Sequence, residues 1–100
     1  MLENSVFLHL RRRHKNIFYF REKGECDFLV SEQNKIKIAI QVSYKLDEEN
    51  KEREIDGLLE AIKKFNLREG LILTFNQEDK FEIDGKHIII KPVWKWMLEH

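Results

Sequence analysis

The chain has 100 residues, of which 42% are hydrophobic and 36% charged, and its formal net charge is zero. This composition excludes a disordered chain, and the length suits one domain with a modest core. No apolar run approaches the roughly 20 residues of a membrane span, and no signal-peptide pattern opens the chain. Because a dedicated nucleic-acid binder usually has a basic excess, any contact with DNA must come from local patches.

The single cysteine and the two chain ends suggest where the protein works and what surrounds it. Cys26 excludes an internal disulfide and predicts a reducing, cytoplasmic environment. The sequence begins directly in a helical pattern, and residues 98–100 match the start of a histidine-tag junction. We therefore expect residues 1–97 to be a single domain excised from a longer protein.

The first half of the chain predicts one helix and three strands. Apolar residues at helical spacing predict an amphipathic helix over residues 2–13. Aromatic and apolar content predicts strands over 17–21 and 25–31, joined by a hairpin turn at 22–24. The third strand, over 36–43, alternates an isoleucine-rich side with a side that carries Lys37, Ala39, Gln41 and Ser43.

The second half predicts a long helix, a central strand and a hairpin. Acidic residues from Asp47 onward crowd the start of the helix, and Gly57 inside it predicts close packing. A strand over 71–75 follows, then a hairpin over 80–90 through Asp84-Gly85 and a short helix or turn over 92–97. The order predicts a mixed α/β fold in which three antiparallel strands precede a strand that pairs in parallel.

A spaced set of polar residues indicates a metal site. Glu3 lies in the first helix, Asp27 at the start of the second strand and Gln41 near the end of the third. Metal-dependent nucleases place carboxylates around Mg²⁺ and a lysine near the attacking water. Simpler explanations are a helix-dipole position for Glu3, a hairpin cap for Asp27, and a solvated edge strand for Gln41 and Ser43.

The resemblance to a known family covers nearly the whole chain. The segments that carry it are Gly24-Glu25-Cys26-Asp27-Phe28, Ile38-Ala39-Ile40-Gln41-Val42, Arg53-Glu54-Ile55, Gly70-Leu71-Ile72-Leu73-Thr74 and Pro92-Val93-Trp94-Lys95-Trp96. Together they resemble the restriction-endonuclease-like, PD-(D/E)XK domain of unknown function at the C-terminus of prokaryotic AAA-type ATPases. The resemblance implies a restriction-endonuclease-like mixed sheet, with an ATPase domain of the same polypeptide as partner. The P-loop motif that binds ATP does not occur in this sequence.

The resemblance also implies site residues. Asp27, Gln41 and Glu3 would be the metal ligands, and Lys45 would complete a weak or vestigial catalytic group with them. Gln41 stands where the motif has its second acid, and Ser43 stands where it has its lysine. The implied Mg²⁺ is therefore held weakly.

Two further groups of residues are candidates for contacts with partners. The cations Arg11, Arg12, Arg13 and Lys15 could grip phosphate, or they could form a solvated helix end. Trp94 and Trp96 predict either a core lid or a docking surface.

Three functions remain open at this point. The first is a degraded nuclease-like module that faces DNA or a partner, with no membrane role. The second is an active Mg²⁺-dependent endonuclease, and the third is an interaction domain that docks the ATPase or forms a homodimer.

Overall fold

The computed structural model describes residues 2–13, 16–20 and 27–99. The elements in them follow the predicted order and form a mixed α/β fold: α1 (Leu2–Arg13), β1 (Asn16–Phe20), β2 (Asp27–Glu32), β3 (Lys35–Val42), α2 (Lys51–Lys64), β4 (Glu69–Thr74), β5 (Asp79–Ile83), β6 (Lys86–Pro92) and α3 (Val93–Glu99). The hairpin turn predicted at 22–24, Lys15 and Cys26 lie outside the described residues.

The six strands form one sheet in the order β1-β2-β3-β4-β6-β5. β1, β2 and β3 pair as an antiparallel meander, and β4 pairs in parallel with β3, as predicted. The sequence did not indicate where the last hairpin lies: β6 pairs in parallel with β4, and β5 is the outer strand. β4 is therefore central, with a parallel neighbour on each side.

Both two-residue hairpin turns in the described part of the chain need left-handed backbone conformations. Gln33 and Asn34 have φ of 55° and 64°, and Asp84 and Gly85 have φ of 52° and 77°. Positive φ at both central residues defines the turn whose twist matches the flanking strands, and asparagine and glycine tolerate it best. The turn chemistry thus fixes the register of β5 with β6 and that of β2 with β3 next to the turn; a β-bulge between Val30 and Ser31 then shifts the pairing of β2 with β3.

Helices cover both faces of the sheet. α2 packs on one face over a cluster that includes Leu29, Ala39, Leu58, Leu59, Ala61, Ile62, Ile72, Ile88 and Ile90. α1 and α3 pack on the other face, over Phe28, Val30, Ile40 and Leu73. β3 is therefore an interior strand buried on two sides. The alternative that places Gln41 and Ser43 on the solvated face of an edge strand is wrong.

The close packing predicted at Gly57 occurs instead at Gly70. A Cβ built on Gly57 would meet nothing within 4 Å, whereas one on Gly70 would lie 2.5 Å from Cδ1 of Ile62 and 2.9 Å from Leu58. Gly70 lies on β4, below α2, and its missing side chain lets the helix approach the sheet. The prediction failed because periodicity within a helix does not show which strand residue lies beneath it.

Candidate functional site

Several elements bring polar residues to one edge of the sheet. β3, β4 and β6 are parallel, so their carboxyl ends meet there, and residues 43–50 lead from β3 into the first turn of α2. β2 runs the other way, so its first residue, Asp27, is the backbone partner of Gln41. Loops at the carboxyl ends of parallel strands are a frequent place for ligand sites in α/β proteins.

Gln41 is the most enclosed polar residue at this edge. It is 0% exposed, and its backbone lies between Asp27 of β2 and Ile72 of β4. Its side-chain amide donates from Nε2 to Oε2 of Glu54 at 3.2 Å. Gln41 thus contacts a carboxylate that comes from the helix.

Glu54 is the functional candidate that the sequence analysis missed. Glu54 is 4% exposed, although Glu52, two residues before it, and Asp56, two residues after it, face solvent. A signal was present in the sequence, because Glu54 lies four residues before Leu58 and seven before Ala61, on the same helical face. Burying an ionised carboxylate is costly unless hydrogen bonds or a metal ion compensate. Glu54 therefore belongs to a polar site rather than to the core.

Ser43 and Lys45 lie in the loop after β3, and their place on the face of Gln41 stays a prediction. β3 ends at Val42, and Ser43 lies just beyond it, buried, with its N–H donating to Leu73 O at 2.9 Å. Ser43 Oγ donates to the carbonyl of Lys45 at 3.4 Å, and the Lys45 side chain faces solvent. The Lys45 carbonyl also accepts from Nδ2 of Asn50 at 2.8 Å. The carbonyl of Lys45 thus accepts two hydrogen bonds within the loop that leads from β3 to α2.

The convergence of Glu3, Asp27 and Gln41 stays a prediction. The side chains of Glu3 and Asp27 lie outside the described part of the structure. The helix that carries Glu3 is present as predicted, and its buried residues Val6 and Leu10 pack on the face of the sheet opposite to α2. By backbone register, Asp27 and Gln41 are direct neighbours.

The arginines predicted to contact phosphate lie in the last turn of α1. Arg11, Arg12 and Arg13 are exposed in the last helical turn, and Arg11 lies over the ring of Phe7, 5.7 Å from its centroid. Arg13 lines a cleft of about 260 Å³ together with Lys37 and Glu69, near the amino ends of β3 and β4. Their contact with nucleic acid stays a prediction.

Aromatic side chains are exposed near the same edge as Gln41. Tyr44 and Phe75 are 63% and 55% exposed, and their rings stack with centroids 5.0 Å apart. Trp96 is buried beside His9, whereas Trp94 is 57% exposed, and a docking role for it stays a prediction. Such exposed rings are available to a partner.

The donor atoms at the carboxyl edge suit a hard cation. Mg²⁺ takes oxygen ligands, and Gln41 and Glu54 offer an amide oxygen and a carboxylate. In the described residues no three His, Cys, Asp or Glu side chains form a group that could hold a metal ion. The described donors fit Mg²⁺ in kind but supply a single negative charge.

The described residues thus form a mixed α/β domain with a buried polar pair at the carboxyl edge of its sheet. Comparison with known proteins shows the family of this domain. The chain belongs to the family described as "Domain of unknown function (DUF4143)", whose model matches residues 1–96. It is 46% identical, over its whole length, to the uncharacterized protein MJ1544 of Methanocaldococcus jannaschii. The chain spans 25% of that relative. No solved structure matches the chain significantly.

The helices of the described residues give one further result. None of them combines the length and the apolar character that a bilayer crossing requires.

Proposed function

We propose that this chain is a nuclease-like domain of the PD-(D/E)XK type whose catalytic centre is degraded. It works in the cytoplasm as a DNA-facing or partner-facing module of a larger ATPase. The observation that carries the proposal is the register that sets Asp27, at the start of β2, opposite Gln41, at the end of β3. That register occurs within a helix-strand-strand-strand-helix-strand order in which β3 and β4 are parallel.

The chemistry of the edge supports a loss of catalysis. Gln41 is neutral where the motif has an acid, and Ser43 cannot supply the charge of a lysine. Lys45, the substitute for that lysine, has its side chain in solvent after the end of β3. A bound Mg²⁺ would polarise a phosphate oxygen and lower the pKa of a water. Gln41, with Asp27 and Glu3 of the predicted ligand set, would hold it.

The proposal of an ATPase partner rests on the family resemblance and on the length of the archaeal relative. The chain covers a quarter of its archaeal relative, which leaves room for further domains in a longer protein. In such a protein an ATPase domain of the same polypeptide would be the immediate partner of this module. A small domain with zero net charge suits contact with a protein at least as well as contact with DNA.

A second candidate function is interaction without any DNA role. The exposed stack of Tyr44 on Phe75, with exposed Trp94, favours a protein-docking or homodimerising surface. An active endonuclease that uses Glu3, Asp27, Gln41 and Lys45 is the third candidate, and the acids Glu3 and Asp27 favour it.

A plasmid-nicking assay in Mg²⁺ and in Mn²⁺ separates these functions, with Asp27→Ala as the control. We expect little or no nicking by the native chain. Robust nicking that Asp27→Ala abolishes would overturn the degraded-site proposal in favour of the active endonuclease.

A repaired site tests the ancestry of the scaffold. Replacing Gln41→Glu together with Ser43→Lys restores the acid and the lysine of the motif, and we expect this double variant to bind Mg²⁺ more tightly than the native chain. If the double variant binds no metal, the chain is an interaction module, and its self-association should then be visible by analytical ultracentrifugation.

A further inference from the structure

The burial of Glu54 is specific to that residue and is not a property of the helix start. The first turn of α2 carries two acids, Glu52 and Glu54, and Glu52 is exposed. Glu54 instead turns toward the sheet, where Oε2 accepts the hydrogen bond from the fully buried Gln41 amide. α2 thus supplies the carboxylate of Glu54 beside position 41, where β3 carries an uncharged glutamine.

The elements around Glu54 bring three distant parts of the sequence together at this edge of the sheet. Gln41 comes from the end of β3, Glu54 from the start of α2, and Asp27 is the direct backbone partner of Gln41. Directly opposite residues of an antiparallel pair have Cα atoms about 4.5–5.5 Å apart, which is a distance that one cation can bridge.

We infer that Glu54 is a ligand of a divalent-cation site at the carboxyl edge of the sheet and replaces the acid missing from position 41. The acid has moved from the strand to the helix, and Gln41 contributes its amide oxygen beside it. This inference rests on the proposed nuclease-like scaffold, but it adds a ligand that the motif does not contain. It makes the domain a cation-binding module that does not cut.

The amide of Gln41 offers either its nitrogen or its oxygen to this point. With no cation present, Nε2 donates to Glu54. Rotation of the amide by half a turn would place its oxygen beside the same carboxylate, where a shared Mg²⁺ or Mn²⁺ takes the place of the donated proton. The same arrangement of Gln41 and Glu54 can therefore hold either a hydrogen bond or a metal ion.

Titration of the chain with Mn²⁺, followed by the paramagnetic resonance signal of free Mn²⁺, tests this inference. The native chain should bind one Mn²⁺ saturably. Loss of hydrogen bonds around metal ligands alone weakens metal binding by about 10–100-fold, so loss of the ligand in Glu54→Gln should weaken it by at least about tenfold. Glu52→Gln removes an exposed acid of the same turn and should leave the affinity unchanged.

Two results would overturn the inference. One is the absence of saturable Mn²⁺ binding by the native chain, and the other is equal affinity in the native chain and in Glu54→Gln. Glutamine can keep a hydrogen bond to Gln41, so the variant should fold, and a cooperative thermal melt checks this. If it does not fold, Gln41→Glu replaces it: a second carboxylate beside Glu54 should tighten Mn²⁺ binding, and unchanged or weaker binding would reject the site.

Nicking measured on the same samples keeps this inference separate from the proposed function. Nicking by the native chain would overturn the degraded-site proposal while leaving the Mn²⁺ result in place. Failure to bind Mn²⁺ would remove the cation site while leaving the non-cutting scaffold in place.

Discussion

The side-chain amide of Gln77 holds the backbone of Leu46 from both sides. Its Nε2 donates to the carbonyl of Leu46 at 2.8 Å, and its Oε1 accepts from the N–H of Leu46 at 2.6 Å. Gln77 is itself fixed by Thr74, whose Oγ1 accepts from Gln77 N at 2.9 Å and donates to Gln77 O at 2.8 Å. These bonds tie the loop before α2 to the loop after β4, and so determine where Glu54 enters the site.

Replacing Gln77→Ala should destabilise the protein. Leu46 is buried, and the variant leaves both of its backbone polar groups without the amide that satisfies them. Leaving a buried donor or acceptor unsatisfied costs about 1–3 kcal/mol in the free energy of unfolding. Urea denaturation measures the loss, with Asn76→Ala, at an exposed neighbouring position, as the control. Equal unfolding midpoints for the two variants would show that the clamp contributes nothing.

Alanine at the two central glycines should act in opposite directions. In Gly70→Ala the new Cβ meets the buried side chains of Leu58 and Ile62, and overpacking of this kind costs about 1–3 kcal/mol. Gly57→Ala places its methyl group in open space within α2, and should stabilise the protein by about 0.5–1 kcal/mol through helix propensity. Thermal melting of both variants checks the signs. A Gly70→Ala variant at least as stable as Gly57→Ala would contradict the close approach of α2 to β4.

Gln41→Glu alone should make stability depend on pH. The new carboxylate replaces the amide that donates to Glu54, so two acids face each other in a buried place. Below about pH 5 a shared proton can relieve the repulsion, whereas near pH 8 both acids are ionised, and the variant loses stability as the pH rises. Thermal melts across this range measure the effect, and the native chain is the control.

Adding Mg²⁺ at the higher pH should restore stability to the Gln41→Glu variant, because a cation between the two carboxylates replaces the proton. A melting temperature that is independent of both pH and Mg²⁺ would mean that positions 41 and 54 do not share a site.

The ion pair of Lys95 with Glu78 should be visible by titration. The hydrogen bond that Lys95 Nζ donates to the carboxylate of Glu78 and, after it, the charge of Glu78 raise the pKa of Lys95 above its ordinary value. A raised pKa in the folded state means that the stabilisation is fully present at neutral pH and is lost as the pH rises above about 10.

Glu78→Gln should bring the pKa of Lys95 back down, and NMR titration of the lysine side chain follows it. Glu82→Gln, at an exposed acid outside this pair, is the control. An unchanged Lys95 titration in Glu78→Gln would remove the ion pair as the cause.

The sequence was informative where the signal is local. The two-residue turns at 33–34 and 84–85 have their own residue chemistry, and in the first half of β3 the alternation matches the exposed Lys35 and Lys37 and the half-buried Ile36 and Ile38. The order of the elements follows from such local signals. Pairing over long distances leaves no comparable trace, so the place of β6 beside β4 could not be read from the hairpin that contains it.

At the candidate site, too, the sequence predicted the local features but not the long-range contacts. Gln41 was predicted as a site residue from its place on the strand, but its partner Glu54 lies thirteen residues later, on a different element. Only the packing of α2 on the sheet brings the two together. The site role of Lys45 stays a prediction: β3 ends at Val42, and the exposed side chain of Lys45 lies in the loop that follows.

The interior place of β6 has a consequence for the newborn chain on the ribosome. β5 pairs in the sheet through β6, so while only the residues up to 85 have emerged from the ribosome, neither strand of the hairpin can join the sheet. β4 then presents an open edge in which Leu71, Ile72 and Leu73 have no neighbour on one side. Exposed apolar edges invite pairing with other chains. Assembly of the sheet therefore waits for the last strand, and polysomes carrying this message are where aggregation should begin.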